Sequence, residues 1–226
     1  MYQLIIFDWD GTLMDSADKI ANCIIASAVQ LGIKEPTKEH AKSIIGLSLH
    51  EAMRILFPNE NELAINKLVE NYKYHFVTAD DTSQGLFAGV EQGLAALSDA
   101  GALLAVATGK ARRGLKRVFD EVGIEHYFVV SRCADETRSK PHPQMLHEIL
   151  DFTAIGPHNT IMIGDTTFDM DMASNANMHG LAAGYGVHSS KALTDAKAIT
   201  VIDSFSEIID WLLDGRIKRA YSGSVE

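Results

Sequence analysis

The chain has 226 residues and a formal net charge of -10, with 20 Lys and Arg against 30 Asp and Glu. This balance argues against a nucleic-acid backbone as partner, since that binding draws on clustered cations. Hydrophobic residues make up 46% of the chain, enough for one α/β domain plus a smaller insert. No stretch reaches the ~18 consecutive apolar residues of a membrane span, and Met1-Tyr2-Gln3 lacks the charged start of a signal peptide, so a cytoplasmic protein with no membrane partner is expected. Cys23 and Cys133 are too few for a disulfide framework and read as small apolar residues. The histidines show no paired spacing for zinc.

In chain order, Leu4-Ile5-Ile6-Phe7 has the length and β-branched content of a buried parallel strand. Asp8-Trp9-Asp10-Gly11-Thr12 then leaves its C-terminal end, where ligands bind in open α/β sheets. Ser16 reads as the N-cap of a helix from Ala17 to Leu31, with Ile20, Cys23, Ile24, Ala28 and Leu31 on one face and Gly32 as its stop. Further helices are predicted from Pro36-Thr37 to about Ile45, from Leu49 to Phe57 and from Asn61 to about Ala79, the first two separated by Gly46-Leu47-Ser48. No strand pattern interrupts this stretch, so it reads as an all-helical insert, and the composition changes between Thr82 and Gly89.

Beyond that boundary strands and helices alternate. Strands are predicted at Leu103–Thr108, Phe128–Ser131, Thr160–Gly164, Gly180–Ala183 and Ile199–Ile202. Helices are predicted at Val90–Ala100, Ala111–Val122, Pro143–Phe152, Phe168–Asn175 and Phe205–Leu213. Such alternation specifies a doubly wound parallel sheet. The expected fold is a Rossmann-like α/β core, residues 1–15 and 87–226, interrupted by a helical cap over 16–86. The polar tail from Arg216 to Glu226 is expected to fray.

The predicted strand ends carry Asp8 and Asp10, Thr108, and Asp165, with Lys140 arriving from a loop. Carboxylates brought together there repel, at about 4 kcal/mol for two charges ~4 Å apart at an effective dielectric of 20. A hard divalent cation relieves that repulsion, and oxygen-only ligands suit Mg2+.

In order, Asp8-Trp9-Asp10-Gly11-Thr12-Leu13-Met14-Asp15-Ser16, Thr108, Lys140-Pro141 and Gly164-Asp165-Thr166-Thr167-Phe168-Asp169 resemble the four motifs of the haloacid dehalogenase-like hydrolases. The resemblance spans nearly the whole chain. The Leu-x-Asp-Ser tail of the first motif and the long helical insert are similar to the phosphoglycolate phosphatase branch, although Asn175-Ala176-Asn177-Met178-His179-Gly180 departs from that branch's pattern. The resemblance implies a Mg2+-dependent phosphatase acting on a small phosphorylated metabolite. It implies that Asp8 attacks phosphorus, that Asp8, Asp165 and the Asp10 carbonyl hold the metal, and that Asp169 orients the metal shell.

The remaining roles are expected from chemistry. Asp10 protonates the leaving group and then deprotonates the hydrolytic water. Gly11 lets backbone amides approach the phosphoryl oxygens, Thr108 offers a hydroxyl, and Gly109 an N–H at a helix start. Lys140 steadies nucleophile and developing charge. Trp9 reads as packing, and Lys110, Arg112 and Arg113 as a solvated helix face. His142 occupies what resembles a variable slot of the family's third motif and is not expected to act as a base. Lys38, Lys42, His50 and Arg54 read as exposed polar positions, while Gly46 lets a cap loop approach the site. Phosphoglycolate, sugar and amino-sugar phosphates and nucleoside monophosphates are candidate substrates. A phosphomutase of the β-phosphoglucomutase kind shares every core motif. A receiver-like signalling domain places its phospho-accepting Asp on a later strand and lacks a helical insert.

Overall fold

The computed structural model describes residues 1–220. Its strands are β1 (Leu4–Phe7), β2 (Met14–Asp15), β3 (Gly85–Leu86), β4 (Leu103–Thr108), β5 (Phe128–Cys133), β6 (Thr160–Gly164), β7 (His179–Ala183) and β8 (Val201–Ile202). Six of them form one sheet in the order β5-β4-β1-β6-β7-β8, each neighbouring pair parallel. In β1, Ile5 and Phe7 join a cluster with Val106, Ile163, Leu94, Leu115 and Ile208 on one face. Leu4 and Ile6 pack on the other with Ala105, Met162, Met145, Ile149 and Met172. Side chains alternate between faces along a strand, so covering both faces makes β1 apolar throughout. All four of its residues are fully buried, each worth about 1.5–3 kcal/mol of transfer free energy.

Four helices form the insert: α1 (Ala17–Gln30), α2 (Lys38–Lys42), α3 (Leu49–Leu56) and α4 (Glu62–Tyr74). They enclose a separate apolar cluster running from Ile20 to Phe76. The core helices are α5 (Val90–Asp99), α6 (Arg112–Val122), α7 (Gln144–Thr153), α8 (Thr167–Asn175), α9 (Ser190–Asp195) and α10 (Phe205–Leu213). This is the Rossmann-like doubly wound core with an inserted all-helical cap.

Several local expectations are corrected. Helix α2 stops at Lys42, not near Ile45, and a turn carries the chain to Gly46. The fourth cap helix reaches Ala79 as expected, but its last turn, His75–Ala79, is π-helical. Short β2 and β3 pair antiparallel, Met14 with Leu86 and Asp15 with Gly85, so the strands entering and leaving the cap lie side by side. The tail does not fray at Arg216. Tyr2 N–H donates to the Arg216 carbonyl at 2.6 Å, Lys218 N–H to Tyr2 at 2.8 Å and Ala220 N–H to Gly101 at 3.0 Å, which docks this strip along the core. Residues 221–226 of the expected tail lie outside the described residues.

Candidate active site

After β1 the chain builds the β4 and β5 side of the sheet, then crosses to β6 on the other side of β1. The crevice at this switch point opens at the C-terminal ends of β1, β4 and β6. Asp8, Thr108 and Asp165 therefore meet there, and all three are buried. Asp8 Oδ1 accepts from Lys140 Nζ and from Trp9 N–H, both at 2.7 Å. Asp8 Oδ2 is buried and has no hydrogen-bond partner among the described residues. Lys140 Nζ also donates to Asp169 Oδ1 at 2.7 Å. Asp169 closes back on the start of α8, its Oδ2 accepting from Thr166 N–H at 3.1 Å and the Thr166 hydroxyl at 2.7 Å.

Each Asp165 oxygen accepts one hydrogen bond from the protein: Oδ1 from the Thr12 hydroxyl at 2.9 Å and Oδ2 from Val187 N–H at 2.8 Å. Room for these carboxylates comes from glycines. A Cβ on Gly11 or Gly186 would run into the Asp165 carboxylate, and one on Gly164 into that of Asp169. Gly11 also has φ +79, a left-handed conformation that disfavours other residues.

Asp8, Asp165 and Asp169 each place one oxygen within 4.8 Å of the others. Burial pushes the Asp8 carboxyl well above the usual carboxylate range, with Lys140 opposing and Asp169 and Asp165 adding to the rise. Burial, then the Asp169 charge, pushes Asp165 up to about 7. Burial works against the Lys140 charge, but Asp169 and Asp8 hold its proton more tightly than an ordinary lysine's. Three carboxylates thus face one ammonium. The excess negative charge, the all-oxygen donor set and the unpartnered Asp8 Oδ2 fit a hard divalent cation of the Mg2+ kind.

Around Asp10 the structure differs from expectation. Ser16 does not cap α1 through its side chain. Its hydroxyl donates instead to Asp10 Oδ1 at 2.5 Å. Lys110 is not on a solvated face: its side chain is 10% exposed and Nζ lies 2.9 Å from the same Asp10 oxygen. The Gly11 N–H is donated to the Met14 carbonyl at 2.9 Å. Gly109 precedes the helix, since α6 begins at Arg112. Its lack of a side chain admits the cap: a Cβ there would lie 2.5 Å from the Gly46 carbonyl oxygen and 2.6 Å from that of Leu47. Gly46, at φ +103, faces Thr166 and Phe168, so the Gly46-Leu47-Ser48 loop does reach the core at the crevice. Ser48 N–H donates to Ser139 Oγ at 2.9 Å, one residue before Lys140. The Thr108 hydroxyl accepts from Lys110 N–H at 3.2 Å, which leaves its own proton to donate.

Most of the discounted residues have partners of their own. Arg112 pairs with Glu136, Lys38 and Lys42 with Asp18, Arg54 with Glu62, and His142 with Arg138. Arg113 and His50 are exposed. Trp9 is buried edge-on against Phe119, with ring centroids 5.1 Å apart. Both cysteines are buried and free, and burial pushes each thiol up to about 12. That rules out a ready thiolate nucleophile. No helix among the described residues is long and apolar enough to cross a membrane.

The model of the family described as "Haloacid dehalogenase-like hydrolase" matches residues 5–183. The Dickeya dadantii protein named "Probable phosphatase IndB" is 33% identical over 92% of this chain and 93% of its own. At 29% identity, a Mycobacterium tuberculosis protein named tyrosine-protein kinase PtkA matches over 88% of this chain and 68% of its own. A phosphoglycolate phosphatase of Nitrosococcus oceani, also 29% identical, matches over 91% and 94%. Among solved structures, one titled a predicted phosphatase from Clostridium acetobutylicum superimposes with a TM-score of 0.84 at 25% identity, over 94% of this chain and 99% of that one.

Proposed function

This chain belongs to the haloacid dehalogenase-like hydrolases, and on that footing we propose that it is a Mg2+-dependent phosphatase of a small phosphomonoester, phosphoglycolate or a sugar phosphate. The observation that carries the reading is the buried Asp8. One of its oxygens is fixed by Lys140 and Trp9 N–H, the other is unpartnered, and two further carboxylates stand within 4.8 Å.

Asp8, Asp165 and the Asp10 carbonyl would hold Mg2+, with Asp169 steadying the arrangement through Lys140. The cation supplies charge neutralisation at the phosphoryl oxygens and offsets the repulsion between phosphate and carboxylates. Asp8 attacks phosphorus, the ester P–O bond breaks, and an aspartyl-phosphate forms, which splits one hard step into two. Asp10 gives its proton to the leaving alkoxide. It then takes a proton from the water that attacks the aspartyl-phosphate, freeing inorganic phosphate and Asp8. Lys140 keeps Asp8 in line and balances charge on the transferring group, and the Thr108 hydroxyl donates to a phosphoryl oxygen.

We place the catalytic core at residues 1–15 and 87–226 and the cap at 16–86. The separate apolar cluster between Ile20 and Phe76 supports that division. The core motifs contact only phosphoryl group and metal, so substrate choice falls to the cap. A cytoplasmic metabolite fits this reading, and the net charge of -10 favours a small anion held locally over a nucleic acid.

The test is a phosphate-release screen over phosphoglycolate, hexose and amino-sugar phosphates and nucleoside monophosphates, with Mg2+ or EDTA. Stoichiometric phosphate release that needs Mg2+ and vanishes in folded Asp8→Asn is expected. Isomerised product with little free phosphate, or an active Asp8→Asn, would overturn the proposal.

A further inference from the structure

We propose that Lys110 is a positioning residue that ties the cap to the proton-transferring carboxylate of Asp10. The inference rests on the reading of Asp10 as acid and base given above. Lys110 has two partners from different parts of the fold. Its ammonium is 2.9 Å from Asp10 Oδ1, and both side chains are 10% exposed. The Ser16 hydroxyl donates to that same oxygen at 2.5 Å. No hydrogen bond among the described residues falls on Asp10 Oδ2. Two donors on one oxygen stop the carboxylate from turning about its last bond, and the other oxygen is left to exchange a proton with the ester oxygen.

Lys110 Nζ also lies 5.0 Å from the ring centroid of Phe76. That ring is buried and sits in the π-helical turn that ends the cap. Lys19 and Arg117 approach the same ring at 5.6 Å and 5.2 Å, so three cations from α1, α6 and the loop after β4 converge on one aromatic face system. The segment after Phe76 is anchored as well. Lys19 Nζ donates to the Asp80 carbonyl at 2.7 Å and the Thr82 carbonyl at 3.3 Å, just before the chain returns to the core.

Displacement of the cap therefore moves Phe76, and Lys110 loses the partner that holds it over Asp10. With the cap seated, Lys110 is held by both ring and carboxylate, and Asp10 has one orientation. The cap thereby aligns the proton donor only when it is closed over the core. Lysine suits this task because a single flexible ammonium can serve a ring face and a carboxylate together.

The experiment compares wild type, Lys110→Met, Lys110→Arg and Phe76→Leu on an alkyl phosphate and on p-nitrophenyl phosphate, whose leaving group needs little protonation. Lys110→Met is expected to lower kcat/KM on the alkyl ester, which reports steps up to departure of the leaving group, by about 10- to 100-fold, part of the range general acid–base catalysis supplies. On p-nitrophenyl phosphate the loss in kcat/KM is expected to stay under about 3-fold, while the later water attack, common to both esters, slows kcat on each alike. Phe76→Leu, remote from the carboxylates, shifts the two substrates in the same unequal sense. Lys110→Arg recovers most of the loss. In crystals of Lys110→Met, Asp10 is expected to leave its contact with Ser16 or to split between two orientations. Equal losses in kcat/KM on the two esters, or an unmoved Asp10, would overturn the proposal. A wild type that releases phosphate from neither ester would instead remove the phosphatase reading, and the orientation of Asp10 in the crystals would still decide the positioning role.

Discussion

Replacing Lys140 by methionine keeps the stem and deletes the charge that holds the carboxylates together. The side chain is fully buried, with Nζ 2.7 Å from both Asp8 Oδ1 and Asp169 Oδ1. At that spacing and an effective dielectric of 20, each contact carries a gross attraction of about 6 kcal/mol. Most of this is offset by the desolvation of the three groups. The variant leaves the carboxylates without a cation, and breaking a buried pair by removing one partner costs about 3–5 kcal/mol. Proton uptake limits the penalty, because Asp8 and Asp165 already bind protons unusually tightly. The lower end, about 3 kcal/mol, corresponds to a fall in Tm of about 6–12 °C in a chain of this size. The check is thermal unfolding by circular dichroism at pH 7.5, for both proteins, in EDTA and in saturating Mg2+. One positive charge poorer, the variant is expected to hold Mg2+ more tightly, and a ligand at 100 times its Kd adds about 2.7 kcal/mol. The gap between the proteins therefore narrows in Mg2+. A Tm in EDTA within about 2 °C of wild type, or a gap unchanged by Mg2+, would refute this account of the site.

Three other outcomes are expected. Gly11→Ala places a methyl on the Asp165 carboxylate at φ +79, so it is expected to lower stability by at least about 1–2 kcal/mol and to weaken Mg2+ binding in calorimetric titration. Gly109→Ala keeps an allowed backbone but meets the Gly46 and Leu47 carbonyls, so KM is expected to rise and substrate ranking to change while Mg2+ affinity holds. In EDTA, stability is expected to fall as pH rises toward and through about 7. Asp165 is raised by burial and by Asp169, so the folded protein keeps a proton that the unfolded chain releases above about 4. Saturating Mg2+ is expected to flatten this dependence, which urea melts at pH 5.5, 6.5 and 7.5 would show.

Legibility followed the size of the physical signal. β1, β4, β6 and β7 are apolar runs buried on both faces, and each was readable to within a residue or so. β2 and β3, two residues each, carry no periodicity and are defined by pairing with one another. Helix α9 joins the core through Leu193 and was invisible as a pattern. The π turn at His75–Ala79 continues the helical pattern, so only its backbone geometry distinguishes it. In the site, the side chains that converge were legible because they end strands in a fixed order. The Val187 N–H on Asp165 was not, since a backbone donor has no residue-type signature. Lys110 misled because a lysine beside a helix start is ordinarily solvated, and only the fold brings Phe76 down onto it. Ser16 was readable as a cap residue by type, yet the deeper acceptor, Asp10, claims its hydroxyl.

The pairing of Met14-Asp15 with Leu86-Gly85 has a consequence for how such a protein can diversify. Adjacent antiparallel strands hold the two junctions of the insert about 5 Å apart. The sheet therefore meets whatever lies between them as a loop that is already closed. Lengthening or replacing such a loop costs closure entropy only as the logarithm of its length, about 0.6 kcal/mol per doubling. A chimaera that keeps residues 1–15 and 85–226 and grafts a foreign helical segment between them would leave the register of β1, β4 and β6 undisturbed. The carboxylate cluster could then be carried unaltered from one specificity to another, with the two-residue ladder as the graft point.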